Sequence, residues 1–275
     1  MRYALKVCYF DESREYEGFQ RQPDKKTIEG ELIHSLQDLG LIEDLSLAAY
    51  GAAGRTDKGV HALGQVIALS TQKKLIVSAI NSALPRNIRI WASKVVNEQF
   101  HPRYDALSRY YRYYTVYSRE DIETMRVGAE LLEGTHDFQL FSKKVPERST
   151  IRQIHQLRVE KNEKFLIFHI IADSFLWQMV RRIVDSLIKV GQGQWTVEDL
   201  KDLLNASPKT NVYTTPHPVE NYGVLILWDV EYPFKFEVDN KGLNQVKSLL
   251  QNYLGDYSLK HYYLQQTYEF FDIIP

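Results

Sequence analysis

Short stretches in which apolar residues recur at every second position alternate along this chain with segments of helical periodicity, and the pattern starts twice. The first stretch, RYALKVCYF at residues 2–10, puts Tyr3, Leu5, Val7 and Tyr9 on one side of a strand. A helix follows in TIEGELIHSLQDLG, with Thr27 as N-cap, Ile28, Leu32, Leu36 and Leu39 on one apolar face, and Gly40 as its stop. LSLAAYGA (45–52) and QVIALST (65–71) read as two further strands. LIVSAINSAL reads as a helix that ends before Pro85, and IRIWASKVV (88–96) as another strand.

SRYYRYYTVY (108–117) restarts the alternation with an unusually aromatic and basic strand. A helix is expected near 119–132, then a loop in GTHDFQLF, then a hairpin of IRQIHQLRVEK and KFLIFHIIA. FLWQMVRRIVDSLIKVG (175–191) carries the strongest helical signal. Phe175, Met179 and Ile183 step by four, as do Val180, Val184 and Ile188, and Gly191 ends it. A shorter helix from Thr196 and a last strand, YGVLILWDV, complete the second unit. The expectation is an α+β chain: an α+β unit over residues 1–99, a second over 100–232, and an extension over 233–275 made of a helix and an aromatic tail.

Composition sets limits on function. With 275 residues, 44% apolar and 25% charged, the chain can bury a sizeable core. No run approaches the roughly 18 apolar residues of a membrane span, and the first residues turn acidic too early for a signal peptide. A single cysteine, Cys8, excludes an internal disulfide and fits a reducing cytoplasmic setting. A net charge of −1 argues against non-specific coating of nucleic acid, although basic residues gather in 101–182.

One connection carries the chemistry. GAAGRTDKGVHALGQV (51–66) lies between two expected strands and sets Asp57 between Arg55 and Lys58, with Gly54 and Gly59 around them. The glycines let backbone approach a ligand or take positive φ. Composition alone would equally make Asp57-Lys58-Gly59 a simple turn. Phosphate loops, a G-x-G-x-x-G after a strand and a G-x-S-x-G elbow are all missing. The histidines lack metal-site spacing, so no metal is expected, and His61 reads as a hydrogen-bonded structural residue.

GRTDKGVHALGQ (54–65) resembles the catalytic motif of the TruA family of tRNA pseudouridine synthases, G-R-T-D-x-G-V-H-A-x-x-Q, at every specified position. The resemblance continues in order through GFQRQPDKKTIEGEL, INSALPRNIRI, FHPRYDALSRYYRYY, GTHDF, TIRQI and SFLWQMVRRIVDSLIKVGQG, covering most of residues 1–232. Residues 233–275 fall outside it. The resemblance implies two related α+β halves whose antiparallel sheets join, flanked by helices, with a catalytic cleft between them. It implies Asp57 as nucleophile, Arg181 as its basic partner, Tyr111 as the active-site tyrosine and Arg55 as an aid to base extrusion. Lys58, Arg109 and Arg112 are further candidates for RNA contact.

The implied reaction turns uridine into pseudouridine in the tRNA anticodon arm, at positions 38, 39 or 40. As an isomerisation it needs no cofactor. A guanidinium stays charged under burial and opposes the desolvation that would protonate an enclosed aspartate. Helical geometry alone does not decide whether Arg181 faces the cleft or solvent. Tyr111 offers a face for a uracil, whereas Tyr110, Tyr113 and Tyr114 read as core or RNA-surface aromatics. The resemblance also implies a homodimer. A catalytically silent RNA-binding or RNA-chaperone protein on the same scaffold is the alternative. A metal nuclease would need clustered carboxylates, and the motif supplies one acid beside two cations.

Overall fold

Along β1 (Arg2–Tyr9) the two faces go to different layers. Leu5, Val7 and Tyr9 enter one core with Ile28, Leu32 and Leu36 of α1 (Ile28–Asp38), while Cys8 joins a smaller cluster on the other side. Thr27 caps α1 by accepting a hydrogen bond from the Gly30 amide at 3.1 Å. The chain continues through β2 (Gly51–Ala52), β3 (His61–Ser70), α2 (Val77–Ala83) and β4 (Ile88–Val96). The second run comprises β5 (Ser108–Val116), α3 (Ile122–Leu132), β6 (Gly134–Asp137), β7 (Ile151–Asn162), β8 (Phe165–Ala172), α4 (Met179–Gly191), α5 (Val197–Asn205) and β9 (Gly223–Glu231). β10 (Glu237–Val238) and α6 (Asn240–Asp272) follow. This computed structural model describes residues 1–143, 149–205 and 223–272; Tyr222 of the last expected strand and the end of the tail lie outside them.

The strands form one sheet in the order β10-β4-β1-β3-β9-β5-β8-β7-β6, with β2 laid on β3. Among the described residues every pairing is antiparallel except the seam between the two runs, where β3 and β9 are parallel through His61↔Ile226 and Ala62↔Leu227. The joined sheet is therefore mixed rather than wholly antiparallel. Gly64 permits the seam: a Cβ there would stand 2.8 Å from the Asp229 Cα, so no larger residue fits. Leu227, Val230 and Tyr232 pack with the first core, while Val60 packs with the second, around Phe138, Phe168, Ile183 and Leu187.

α4 earns its place by burying Met179, Val180, Ile183, Val184, Leu187 and Val190. Each fully buried apolar side chain of this size contributes roughly 1.5–3 kcal/mol. On the opposite face of the sheet, Val246, Leu249 and Leu250 of α6 cover Cys8, Phe10, Leu63 and Trp91.

Three expectations need correction. LSLAAYGA is not a strand; residues 45–49 turn, and only Gly51–Ala52 pair with β3. Asp44 Oδ1 accepts from the Ser46 and Leu47 amides at 2.8 and 2.9 Å, and this local bonding competes with a ladder. GTHDFQLF is not simply a loop: β6 pairs with β7, an edge strand created by tertiary partnership in four residues without alternation. The long helix starts at Met179, because Gln178 is left-handed (φ 63°) and the Trp177 carbonyl accepts from the Lys143 amide. Phe175 therefore stands off the helix, and its four-residue step to Met179 is incidental.

Candidate active site

The segment between β2 and β3 is tied down at several backbone groups. The Ala53 amide donates to Val66 O at 2.8 Å, and Gln65 Nε2 donates to Gly54 O at 3.0 Å. Thr56 O accepts from the Phe19 amide at 2.9 Å, and the buried Thr56 and Tyr9 hydroxyls pair at 2.7 Å. The neighbouring loop can come this close because residue 18 is glycine. Its φ is +89°, and a Cβ would lie 2.9 Å from Thr56 O. Asp57 O then accepts from the Val60 amide at 3.2 Å, closing a turn. The segment is thus a turn after all, and one that presents a carboxylate.

That carboxylate opens into a cleft of about 600 Å³. Arg55, Asp57 and Lys58 line it from the first run, and Tyr111, Trp177 and Arg181 line it from the second. Water reaches Asp57 from the open side, but protein walls it elsewhere. Desolvation pushes its pKa above the ordinary carboxylate range. The Arg181 charge, a hydrogen bond from the Trp177 indole and the Lys143 charge oppose that rise. Arg181 acts across the cleft as a nearby charge, without a direct ion pair to Asp57. Tyr111 meets Phe175 edge-on at 5.0 Å. Burial, and then the Asp57 charge, push its phenol upward.

The other candidates divide. Arg55 is exposed on the cleft wall. Lys58 also reaches the cleft but pairs with Glu17 at 2.7 Å. Arg109 lines the cleft from within its wall. It is buried, and its guanidinium donates to the carbonyls of Ala53 (3.1 Å), Asp173 (2.6 Å) and Arg103, which clamps the Asp57 segment to the chain leading into α4. Arg112 does not line the cleft. It alternates to the opposite face of β5, lies 3.6 Å from the centroid of the Trp228 ring and donates to the Tyr110 hydroxyl. His61 is structural: it is buried, and its Nδ1 accepts from the Asp11 amide at 3.1 Å.

Arg109→Met is expected to lower the unfolding free energy by at least about 2 kcal/mol, because it strands buried carbonyls. Urea denaturation checks it; a midpoint equal to the wild type would remove the clamp from this account.

Sequence reasoning overlooked Lys143, Trp177, Tyr9 and Gly18. Trp177 sits in FLWQMVRRIVDSLIKVG, whose periodicity assigns it to the helix, whereas it precedes α4. Lys143 had no local signal.

Among the described residues, no three His, Cys, Asp or Glu side chains are grouped to hold a metal, and no helix is long and apolar enough to cross a membrane. Residues 129–233 match the family model described as tRNA pseudouridine synthase. The tRNA pseudouridine synthase A of Methanothermobacter thermautotrophicus is 39% identical over 252 residues, covering 90% of this chain and 88% of that one. The protein of the same name from Thermococcus sibiricus is 40% identical over 250 residues, covering 90% and 91%. The fold and the likeness define an RNA-modifying isomerase. The chain belongs to the tRNA pseudouridine synthase family.

Proposed function

We propose that this enzyme forms pseudouridine in the tRNA anticodon arm, at positions 38, 39 or 40, with Asp57 as its nucleophile. The observation that carries the reading is convergence: Asp57, Tyr111 and Arg181 come from distant parts of the chain and line one cleft. The reaction breaks the N1–C1′ bond of uridine, turns the uracil and forms a C5–C1′ bond, with C5 losing a proton and N1 gaining one. Attack at C1′ or at C6 requires the same ionised carboxylate. The base must first leave its stack, at roughly a few kcal/mol. Arg55, on the exposed wall, suits the gap left behind, and Tyr111 suits the ring that enters. We place the enzyme in the cytoplasm as a homodimer, following the motif resemblance.

Incubation with unmodified tRNA transcripts, followed by pseudouridine mapping, tests the reading. New pseudouridine at 38, 39 or 40 is expected. Product elsewhere would replace the positional assignment, and none at all would leave the silent RNA binder. Binding should also weaken with salt. If about four phosphates are engaged, raising salt fourfold should cost on the order of tens-fold in affinity. A salt-independent affinity, read by filter binding, would rule out the phosphate-led contact.

A further inference from the structure

Beside the catalytic cleft lies a second cavity of about 280 Å³, lined by Arg103, Tyr104, Lys143, Arg152 and Trp177 among others. Among the described residues, three cations and no carboxylate line it. The two cavities share Arg103, Phe175, Leu176 and Trp177, so the wall between them is one side-chain layer. Two of the lining aromatics present unusual open surface: Tyr104 is 77% exposed and Trp177 42%.

Neither ring is left loose. The Tyr104 ring sits 4.4 Å from that of His101, in a turn closed by the Arg103 amide donating to His101 Nδ1 and the His101 amide donating to Asp105. Lys143 Nζ lies 4.0 Å from the Trp177 ring centroid. Pre-placed aromatic faces beside cations form the chemistry that holds a single-stranded nucleotide, the faces stacking a base and the cations meeting its phosphate. A cavity of this size admits one splayed-out base and excludes a paired duplex.

The geometry points to a subsite for the nucleotide next to the target uridine, with its base stacked on Tyr104 and its phosphate held by Arg103 and Lys143. It rests on the proposed function, whose extruded uridine would carry a neighbour towards this wall. Holding that neighbour keeps the strand open while the target is in the cleft, so the subsite contributes to binding rather than to the chemical step.

Tyr104→Ala tests it, since the side chain is open to solvent and has no place beside Asp57. Trp177 is unsuitable because it also hydrogen-bonds the nucleophile. Steady-state kinetics would use an intact tRNA transcript and two transcripts with an abasic site, one 5′ and one 3′ of the modified uridine. Tyr104→Ala should raise KM on the order of tenfold on the intact transcript, from the usual strength of base–aromatic stacking, with kcat little changed. Tyr104→Phe should restore KM. On one abasic transcript, wild type and Tyr104→Ala should become equal. An unchanged KM for Tyr104→Ala, or an equal penalty on both abasic transcripts, would overturn the subsite. Wild-type turnover of the intact transcript stands as a separate readout: its absence overturns the parent reading, and its presence leaves the subsite to stand or fall alone.

Discussion

Asp57→Asn is expected to bind tRNA as tightly as the wild type and to form no pseudouridine, a loss of at least roughly 10⁴-fold, typical of removing a nucleophile. The amide keeps the shape of the carboxylate and cannot attack a carbon. It also removes a negative charge from a cleft that must receive phosphates, so affinity has no reason to fall. Electrostatics adds a second expectation. The Asp57 pKa is raised in the folded protein, chiefly by desolvation. A carboxyl with a raised folded pKa contributes stability at pH below its unfolded value, and that contribution is lost as pH rises through the folded one. At neutral pH the charged group therefore weighs against folding, and Asp57→Asn should melt no lower than the wild type. Residual pseudouridine in a mapped transcript would refute the nucleophile, and a clearly lower Tm would refute the desolvation.

Arg181→Met should lose activity on the order of 100-fold near neutral pH, the scale seen when one electrostatic stabiliser leaves a site. Its pH profile distinguishes this account from simple loss of packing. Arg181 is the largest of the influences that lower the Asp57 pKa, with Trp177 and Lys143 behind it. Without it the carboxyl titrates at higher pH, so less carboxylate is present at any given pH. The acid limb of kcat should move upward, and the variant should gain on the wild type as pH rises. Arg181→Lys should recover part of the loss by keeping the charge. A profile with the wild-type shape, uniformly depressed, would show that Arg181 acts by some means other than its charge.

The site was legible in part because its motif is local. GRTDKG places the carboxylate, the neighbouring cations and the turn-forming glycine within six residues, and those chemical requirements survive in one dimension. The surroundings of Arg109 and Arg112 were not legible for a physical reason. On a strand, adjacent positions face opposite sides, and which side holds the cleft depends on what packs there. Arg109 points to the cleft side, where backbone carbonyls consume it, and Arg112 points away to Trp228. Lys143 escaped notice because its influence on Asp57 passes through space, from a segment with no pattern of its own.

Elements with long, regular periodicity were also legible. β1, α1, β7, β8 and the body of α4 follow from apolar spacing, because one face must leave water whatever partner covers it. Where local side-chain bonding or a distant partner competed with spacing, at residues 45–49, in β6 and in the non-helical Phe175–Gln178, spacing failed.

From its sequence alone this protein had its class of elements, its chemistry-bearing turn and its resemblance to RNA-modifying enzymes, since all three depend on neighbours along the chain. Only the tertiary structure decided that β3 and β9 meet in parallel at Gly64, and that Tyr111, Trp177 and Arg181 close around Asp57. Contacts between distant segments are selected by how whole faces pack and by which buried polar groups find partners, and neither is encoded at any single position.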